Sequence, residues 1–216
     1  MSDSVEEKIR QHFSLYPQRE YPKGQILIFA DEQPEYIFYI VSGKVIKYDV
    51  SYRGDEVIIN VFKPPAFFPM SWALNQAPDP YFYKTDSPTT LHVIPVGDAL
   101  TFLRANPDVV FDLLSRVYRG IDGLLGRLVR LMSGSARSRL LYELLIECRR
   151  FGQPQTDGGR LLSINELDIA SRAGLSRETV NREMRKIKTS GLVERYKGNI
   201  IVKNVDALEA AVRDEP

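Results

Sequence analysis

The sequence predicts an α+β protein that consists of an N-terminal antiparallel β-roll, one long helix, and a C-terminal region of helices closed by a β-hairpin. Two observations predict this order. Short apolar or alternating runs separated by turn residues fill residues 20–95, which is typical of an antiparallel sandwich or barrel. After Pro95 the apolar residues recur at helical spacing instead.

The composition is that of a soluble globular protein with room for two domains, since 44% of its 216 residues are hydrophobic and 26% are charged. The N-terminus lacks an apolar segment, and prolines interrupt the longest low-charge stretch, residues 64–78. We therefore expect no signal peptide, no membrane span and a cytoplasmic location.

Residues that usually carry catalysis or hold metals are scarce. The chain has two histidines and one cysteine, Cys148, which cannot form an internal disulfide or an all-cysteine metal site. The sequence contains neither a P-loop nor a histidine pair at metal-ligand spacing. We therefore expect a binding protein rather than an enzyme.

Turn signals divide the N-terminal region into strands. They stand at Lys23-Gly24, residues 31–34, Ser42-Gly43 and residues 53–55. Closely spaced strands without intervening helices pair in antiparallel fashion. We assign residues 1–105 to the β-roll domain.

A heptad seam marks the long helix. From Val110 the apolar residues follow a strict 4-3-4-3-4-3 spacing, which indicates a helix that pairs with another helix along its length. We predict a dimerisation helix and hinge over residues 106–134; the alternative is an ordinary core helix of a monomer. The predicted dimer contacts are Val110, Leu114, Val117, Ile121, Leu124, Leu128 and Leu131.

Asn106 is suited to cap this helix and Pro107 to occupy its first position. Gly120, Gly123 and Gly126 each cost about 1 kcal/mol relative to alanine in a helix interior. We therefore expect a compensating close approach to another backbone or to a ligand at these glycines.

Residues 135–216 are predicted to fold after a hinge at residues 133–135. Ser135 is suited to cap a first helix, residues 163–166 have the spacing of a capping box for a second, and Ser176 caps a third after a glycine turn. The runs LVERY and NIIVK then form a hairpin. These elements constitute a winged helix-turn-helix.

The third helix of this region begins in the run GLSRETVNREM, and one of its faces carries polar groups suited to base edges. Arginine donates twice to guanine, glutamate accepts from the cytosine amino group, and asparagine reads adenine or binds phosphate. A carboxylate facing a polyanion is costly, so Glu178 among arginines favours base reading over charge neutralisation. The alternative is a solvated face with ion pairs such as Glu178–Arg182. The predicted base-reading residues are Arg177, Glu178, Asn181 and Arg182.

The charge of the surrounding segment is that of a nucleic-acid contact. Residues 172–203 contain nine basic and three acidic residues, although the net charge of the whole chain is only +1. The predicted partner is double-stranded DNA. The predicted contacts to its backbone are Ser176, Thr179, Arg185, Lys186, Lys188 and Lys197.

The recognition run, the turn glycines, the long helix that begins NPD and the winged helix-turn-helix together resemble the Crp/Fnr family of bacterial transcription regulators. The resemblance implies a homodimer, TGTGA-like half-sites arranged as a palindrome, and RNA polymerase as a partner. Arg177, Glu178 and Arg182 match the family's base-reading residues. Asn181 departs from the usual glycine or serine, which leaves the outer base undetermined.

The resemblance also implies a cyclic-nucleotide site, but its phosphate cassette is degenerate here. Pro69-Met70 replaces a Gly-Glu pair, and Asp79-Pro80 stands near the expected Arg-Ser. No arginine occurs between Arg53 and Arg104, although a cyclic phosphate needs a cationic partner. Leu124 and Leu125 fill the positions that would reach the adenine. We expect no tight binding of cyclic AMP.

Apolar residues replace the cassette. They either pack the roll or line a pocket for an apolar effector such as haem, and constitutive activity without an effector is a further alternative. The candidate haem ligands are His12, His92, Met70 and Cys148. The candidate pocket residues are Phe67, Phe68, Met70, Trp72, Tyr81, Tyr83, Leu124 and Leu125.

The leading hypothesis is a dimeric, sequence-specific transcription regulator. A ligand-binding module that acts through protein partners is the alternative, with the winged helix as its interaction surface. The Arg-Glu-Asn-Arg face separates the two hypotheses, because protein binding would not require it.

Overall fold

The chain forms two compact units, residues 1–117 and 118–216. The division falls inside the long helix, whereas the sequence placed a hinge at residues 133–135; that hinge stays a prediction. In the part of the chain described, no helix is both long and apolar enough to cross a membrane. The computed structural model describes residues 4–52, 54–156, 158–196 and 198–215.

Eight short strands form the sheets of the first unit in the part of the chain described. In chain order they are β1 (Gln18–Tyr21), β2 (Ile26–Ile28), β3 (Tyr36–Ser42), β4 (Val45–Val50), β5 (Glu56–Phe62), β6 (Phe67–Phe68), β7 (Phe82–Thr85) and β8 (Thr89–Pro95). They form two four-stranded sheets of order β1-β8-β3-β6 and β2-β7-β4-β5. All of their pairings are antiparallel. The α+β class and the antiparallel roll are confirmed.

The first unit also contains three short helices, α1 (Val5–Phe13), α2 (Met70–Asn75) and α3 (Val96–Ala105). They pack over the sheets around a core that includes the buried Phe13 and Ile94. A second core, between the strands themselves, includes Ile40 and Leu91.

Glycines occupy the tight turns of the roll, as their positions in the sequence indicated. Gly24, Gly43 and Gly54 have φ angles of 85°, 91° and 84°, a region that strains other residues. At Gly43 the requirement is also steric, because a Cβ atom would lie 2.5 Å from the carbonyl oxygen of Pro88.

The long helix α4 (Pro107–Ser133) begins at the predicted proline. Asn106 does not act as the predicted side-chain cap, because its amide donates to the carbonyl of Phe102 at 2.8 Å and so closes the preceding helix. Gly126 is close to a side chain rather than to the expected backbone or ligand, since a Cβ atom there would overlap the Tyr142 hydroxyl. The positions of Gly120 and Gly123 are open.

The second unit contains the last part of α4, four further helices and one small sheet. The further elements are α5 (Ala136–Phe151), β9 (Gln153–Pro154), β10 (Arg160–Leu162), α6 (Glu166–Ala173), α7 (Arg177–Thr189), β11 (Val193–Tyr196), β12 (Asn199–Val202) and α8 (Val205–Asp214). The predicted hairpin β11–β12 belongs to a four-stranded sheet of order β11-β12-β10-β9. The sequence analysis missed β9, β10 and α8.

Two of the three predicted helix caps in this unit are confirmed. The hydroxyls of Ser135 and Ser176 accept from the backbone N–H groups of the residues three positions later, at 3.0 and 3.2 Å. The capping box at residues 163–166 was wrong, because α6 begins at Glu166 and its cap is therefore Asn165. The Asn165 side chain accepts from the Asp168 N–H at 2.9 Å.

Candidate nucleic-acid interface

Helix α7 has an apolar face that fixes it in the core and a polar face that points outward. Val180, Met184 and Ile187 are buried and pack with α5, α6 and the sheet in one cluster. This burial fixes the rotation of α7 about its own axis. The outward side chains are those of the exposed Arg177, Glu178, Arg182 and Arg185 and the half-buried Asn181.

Glu183 is a site residue that the sequence analysis missed. It is buried at the edge of the polar face and accepts from Lys186 at 2.9 Å and from Arg182 at 3.3 Å. The hydrogen bond from Lys186 holds the pKa of the Glu183 carboxyl below its usual value, against the effect of burial. The side chain of Arg182 is still 64% exposed, so Glu183 orients this guanidinium without covering it.

Three of the nine basic residues of this segment take part in ion pairs with residues outside α7. Arg172 is bound to Glu147 in the interior, Arg195 to Glu166, and Lys203 to Glu194. Arg177, Arg185 and Lys188 form no ion pair with any residue that the structure describes. The positive charge available to a partner is therefore concentrated on α7.

The remaining predicted backbone contacts lie close to the beginning of α7 or outside the described ranges. The hydroxyls of Ser176 and Thr179 are 3.0 Å apart and stand at the N-terminus of the helix, where backbone N–H groups attract phosphate. Lys197 lies outside the residues described. Contact of these residues with DNA stays a prediction.

The candidate effector residues of the roll mostly belong to its cores. Phe67, Phe68 and Tyr83 are buried, and Met70 and Trp72 pack against the core that contains Phe67. This placement favours the packing alternative for these five residues. The other three, Tyr81, Leu124 and Leu125, retain exposed surface.

A buried charge pair occupies the segment of the degenerate cassette. The Asp79 carboxylate is 6% exposed and lies 2.9 Å from the Lys47 ammonium. The same Oδ2 atom accepts from the hydroxyls of Tyr83 at 2.6 Å and Ser71 at 3.1 Å. Burial, and then the hydrogen bond to Asp79, raise the pKa of Tyr83 well above its usual range. The Lys47 ammonium of the neighbouring strand β4 is thus already paired with an internal anion.

The four candidate haem ligands are engaged in packing or hydrogen bonds. The His12 ring stacks on Phe102 with centroids 4.0 Å apart, and His92 Nδ1 lies 2.8 Å from the Tyr16 carbonyl oxygen. Met70 packs against the roll core. Cys148 is buried in the core of the second unit, where burial raises the pKa of its thiol to about 12. Within the described ranges, no three His, Cys, Asp or Glu residues are grouped to hold a metal ion.

Comparisons with known proteins agree with both units. The family model of the cyclic nucleotide-binding domain matches residues 18–106, and that of the Crp-like helix-turn-helix domain matches residues 138–211. Together the two models span most of the chain. The helix-turn-helix match and the named relatives indicate a regulator of transcription rather than an enzyme.

Individual relatives match over nearly the full length. The global nitrogen regulator of Synechocystis sp. is 25% identical over 191 residues, which cover 87% of this chain and 85% of the relative. The cyclic AMP receptor protein of Thermus thermophilus is 25% identical over 203 residues, or 94% and 91% of the two chains. A CooA mutant from Carboxydothermus hydrogenoformans has the same fold, with a TM-score of 0.79 and 18% identity over 98% of this chain and 97% of that one. The order of the two domains, the polar face of α7 and these matches show that the chain belongs to the Crp/Fnr family of transcription regulators.

Proposed function

We propose that the protein is a homodimeric regulator that reads palindromic TGTGA-like half-sites with α7, contacts RNA polymerase, and is not controlled by cyclic AMP. The observation that carries the proposal is the outward projection of Arg177, Glu178 and Arg182 from a helix whose opposite face is buried. Such a helix fits the major groove of DNA.

The chemistry of the three side chains suits a half-site with guanines and a cytosine partner. Two guanidinium groups donate to the O6 and N7 atoms of guanine, and the Glu178 carboxylate accepts from a cytosine amino group. Because the Glu178 carboxylate is repelled by the phosphates, it does not contribute to attraction of the DNA backbone. A contact with a base accounts for its presence on the basic face of α7.

Dimerisation is supported by two parallel rows of exposed apolar side chains on α4. The heptad seam is between 41% and 52% exposed in the single chain. A second row flanks it at every seventh residue and is between 54% and 80% exposed. Exposed apolar rows of this length favour burial against a second copy, and a two-fold dimer places two recognition helices about 34 Å apart on DNA. The second row consists of Phe111, Tyr118, Leu125 and Met132.

Independence from cyclic AMP is supported by the pair of Asp79 and Lys47. A cyclic phosphate would have to displace the buried carboxylate from Lys47, and the segment between residues 54 and 103 has no arginine to replace it. The buried aromatic side chains favour constitutive DNA binding over control by an apolar effector such as haem.

Selective DNA binding by the effector-free protein is the expected result of fluorescence anisotropy with a TGTGA-N6-TCACA duplex at about 150 mM salt, where nonspecific attraction is weak. The Glu178→Ala variant should then lose about 1 to 3 kcal/mol of discrimination at one base pair of each half-site. A panel of duplexes substituted at each position measures this loss.

Lys188→Ala is the control for Glu178→Ala. Lys188 is exposed on the same helix, and the loss of a phosphate contact should weaken binding to all duplexes alike and reduce the dependence on salt. Equal affinity of the native protein for the palindrome and a scrambled duplex would contradict the proposed half-site. The alternative of a module that binds protein partners would then gain support.

Titration with cyclic AMP in a calorimeter should give no binding isotherm at micromolar concentrations. The reason is that Lys47 is already neutralised by Asp79 in a buried pair. A dissociation constant in the micromolar range or below would overturn this part of the proposal. The anisotropy titration repeated with saturating cyclic AMP is the matching functional control and should be unchanged.

A further inference from the structure

A cluster of four arginines surrounds a small cavity inside the second unit, away from the outward face of α7. The side chains come from the end of α4 (Arg127 and Arg130), from α5 (Arg139) and from α6 (Arg172). The cavity has a volume of about 10 Å³, which is enough for a single bound atom or water molecule.

Three of these arginines have a buried donor without a partner. The Nε–H groups of Arg130, Arg139 and Arg172 find no acceptor among the residues described. The Arg172 side chain is only 5% exposed, so water at the surface cannot supply the missing acceptor. Buried donors of this kind are rare and point to a bound group.

The carboxylates near the cavity are already engaged. Glu143 forms a bidentate pair with Arg127, in which Nη2 lies 2.9 Å from Oε2, and Glu147 accepts from Arg172 at 2.8 Å. Four guanidinium groups thus face two carboxylates. The cluster carries an excess of positive charge on side chains that are partly or fully buried, and an uncompensated charge becomes more costly as it loses contact with water.

The unpaired groups are all donors, and this decides the class of the occupant. A water molecule has two hydrogens of its own that need acceptors, and no buried side-chain oxygen of the described lining residues is left without a partner. A monoatomic anion only accepts, takes three or more hydrogen bonds, and neutralises part of the excess charge.

We propose that this arginine cavity is a binding site for a single halide ion, with chloride as the ligand. The ion connects α4, α5 and α6, the last of which precedes the recognition helix. Its binding therefore stabilises the fold of the second unit, independently of which DNA sequence α7 reads.

The test compares thermal unfolding of the full-length protein in sodium chloride and in sodium gluconate at equal sodium concentration. Gluconate is too large for the cavity. The midpoint should rise saturably with chloride, by about 3 to 6 °C at ten times the dissociation constant. Equal midpoints in the two salts at all concentrations would overturn the proposal.

Two further measurements localise the effect. The Arg139→Gln variant should lose most of the response to chloride, whereas Arg185→Gln, which removes an equal charge from the exposed face of α7, should retain it. Equal responses of the two variants would contradict the site. Crystals of the native protein grown in sodium bromide should show an anomalous peak within hydrogen-bond distance of the three Nε atoms. A water molecule at this position, without an anomalous peak, would exclude a halide. This measurement does not depend on whether the Arg139→Gln variant folds.

Discussion

Replacing Leu128 by arginine is expected to dissociate the dimer and to reduce the affinity for the full palindrome by at least about a thousandfold, the usual difference between specific and nonspecific binding. Leu128 belongs to the heptad seam and is 52% exposed in the single chain. A charge on each helix at this position would be buried against its symmetry mate without a counter-charge. Sedimentation velocity measures the dissociation, and anisotropy measures the loss of affinity.

Val129→Arg is the matched control for this prediction. Val129 is the next residue on α4 and is 58% exposed, but it lies outside both the seam and the flanking row. The same charge at this position should leave the dimer and its DNA affinity unchanged. If Leu128→Arg remained dimeric and bound the palindrome normally, α4 would not be the dimerisation helix.

The seam was evident in the sequence because an apolar heptad depends only on spacing along one helix. The flanking row was not predicted, since it lies outside the two seam positions of each heptad. Tyr118 and Met132 repeat at the same interval of seven as Phe111 and Leu125. A count of all apolar residues at this interval would have found the row.

The positions of the helix caps were predicted less well than the helices themselves. Ser163 and Asn165 both accept hydrogen bonds from backbone N–H groups readily, so local composition does not decide between them. The chain reaches helical geometry only at Glu166. Asn106 lies between two helices, and its amide serves the end of the first rather than the beginning of the second.

The buried charges could not be predicted, because their partners are distant in sequence. Lys47 and Asp79 are 32 residues apart, and Arg172 and Glu147 are 25 apart. A single sequence shows such residues as ordinary charged positions, and only the packing of the strands and helices brings them together. Two of the nine basic residues counted toward a DNA contact, Arg172 and Arg195, proved to pair with a distant residue outside the recognition helix for this reason.

Asp79→Ala is expected to lower the free energy of unfolding by about 2 to 4 kcal/mol, because it leaves the Lys47 ammonium, whose side chain is only 15% exposed, without its counter-charge. The variant also removes the acceptor of the Tyr83 hydroxyl, which is 2.6 Å from the carboxylate. Urea unfolding followed by the signal of the first unit measures the loss. Asp79→Asn keeps an acceptor oxygen but removes the charge. It should therefore lower the free energy of unfolding by less than Asp79→Ala does, and this smaller decrease measures the ionic contribution.

The double variant Lys47→Met, Asp79→Leu tests whether the stability lost in Asp79→Ala is due to the unpaired charge on Lys47. Replacing both partners by apolar residues removes the unpaired charge, so the double variant should regain most of the stability that Asp79→Ala loses. The part that it does not regain is the cost of the Tyr83 hydroxyl, which still lacks its acceptor. If Asp79→Ala cost less than about 1 kcal/mol, as an exposed pair would, the carboxylate would not be held as a permanent internal anion. Lys47 would then be available to a phosphate, and the argument that the roll excludes cyclic AMP would lose its physical basis.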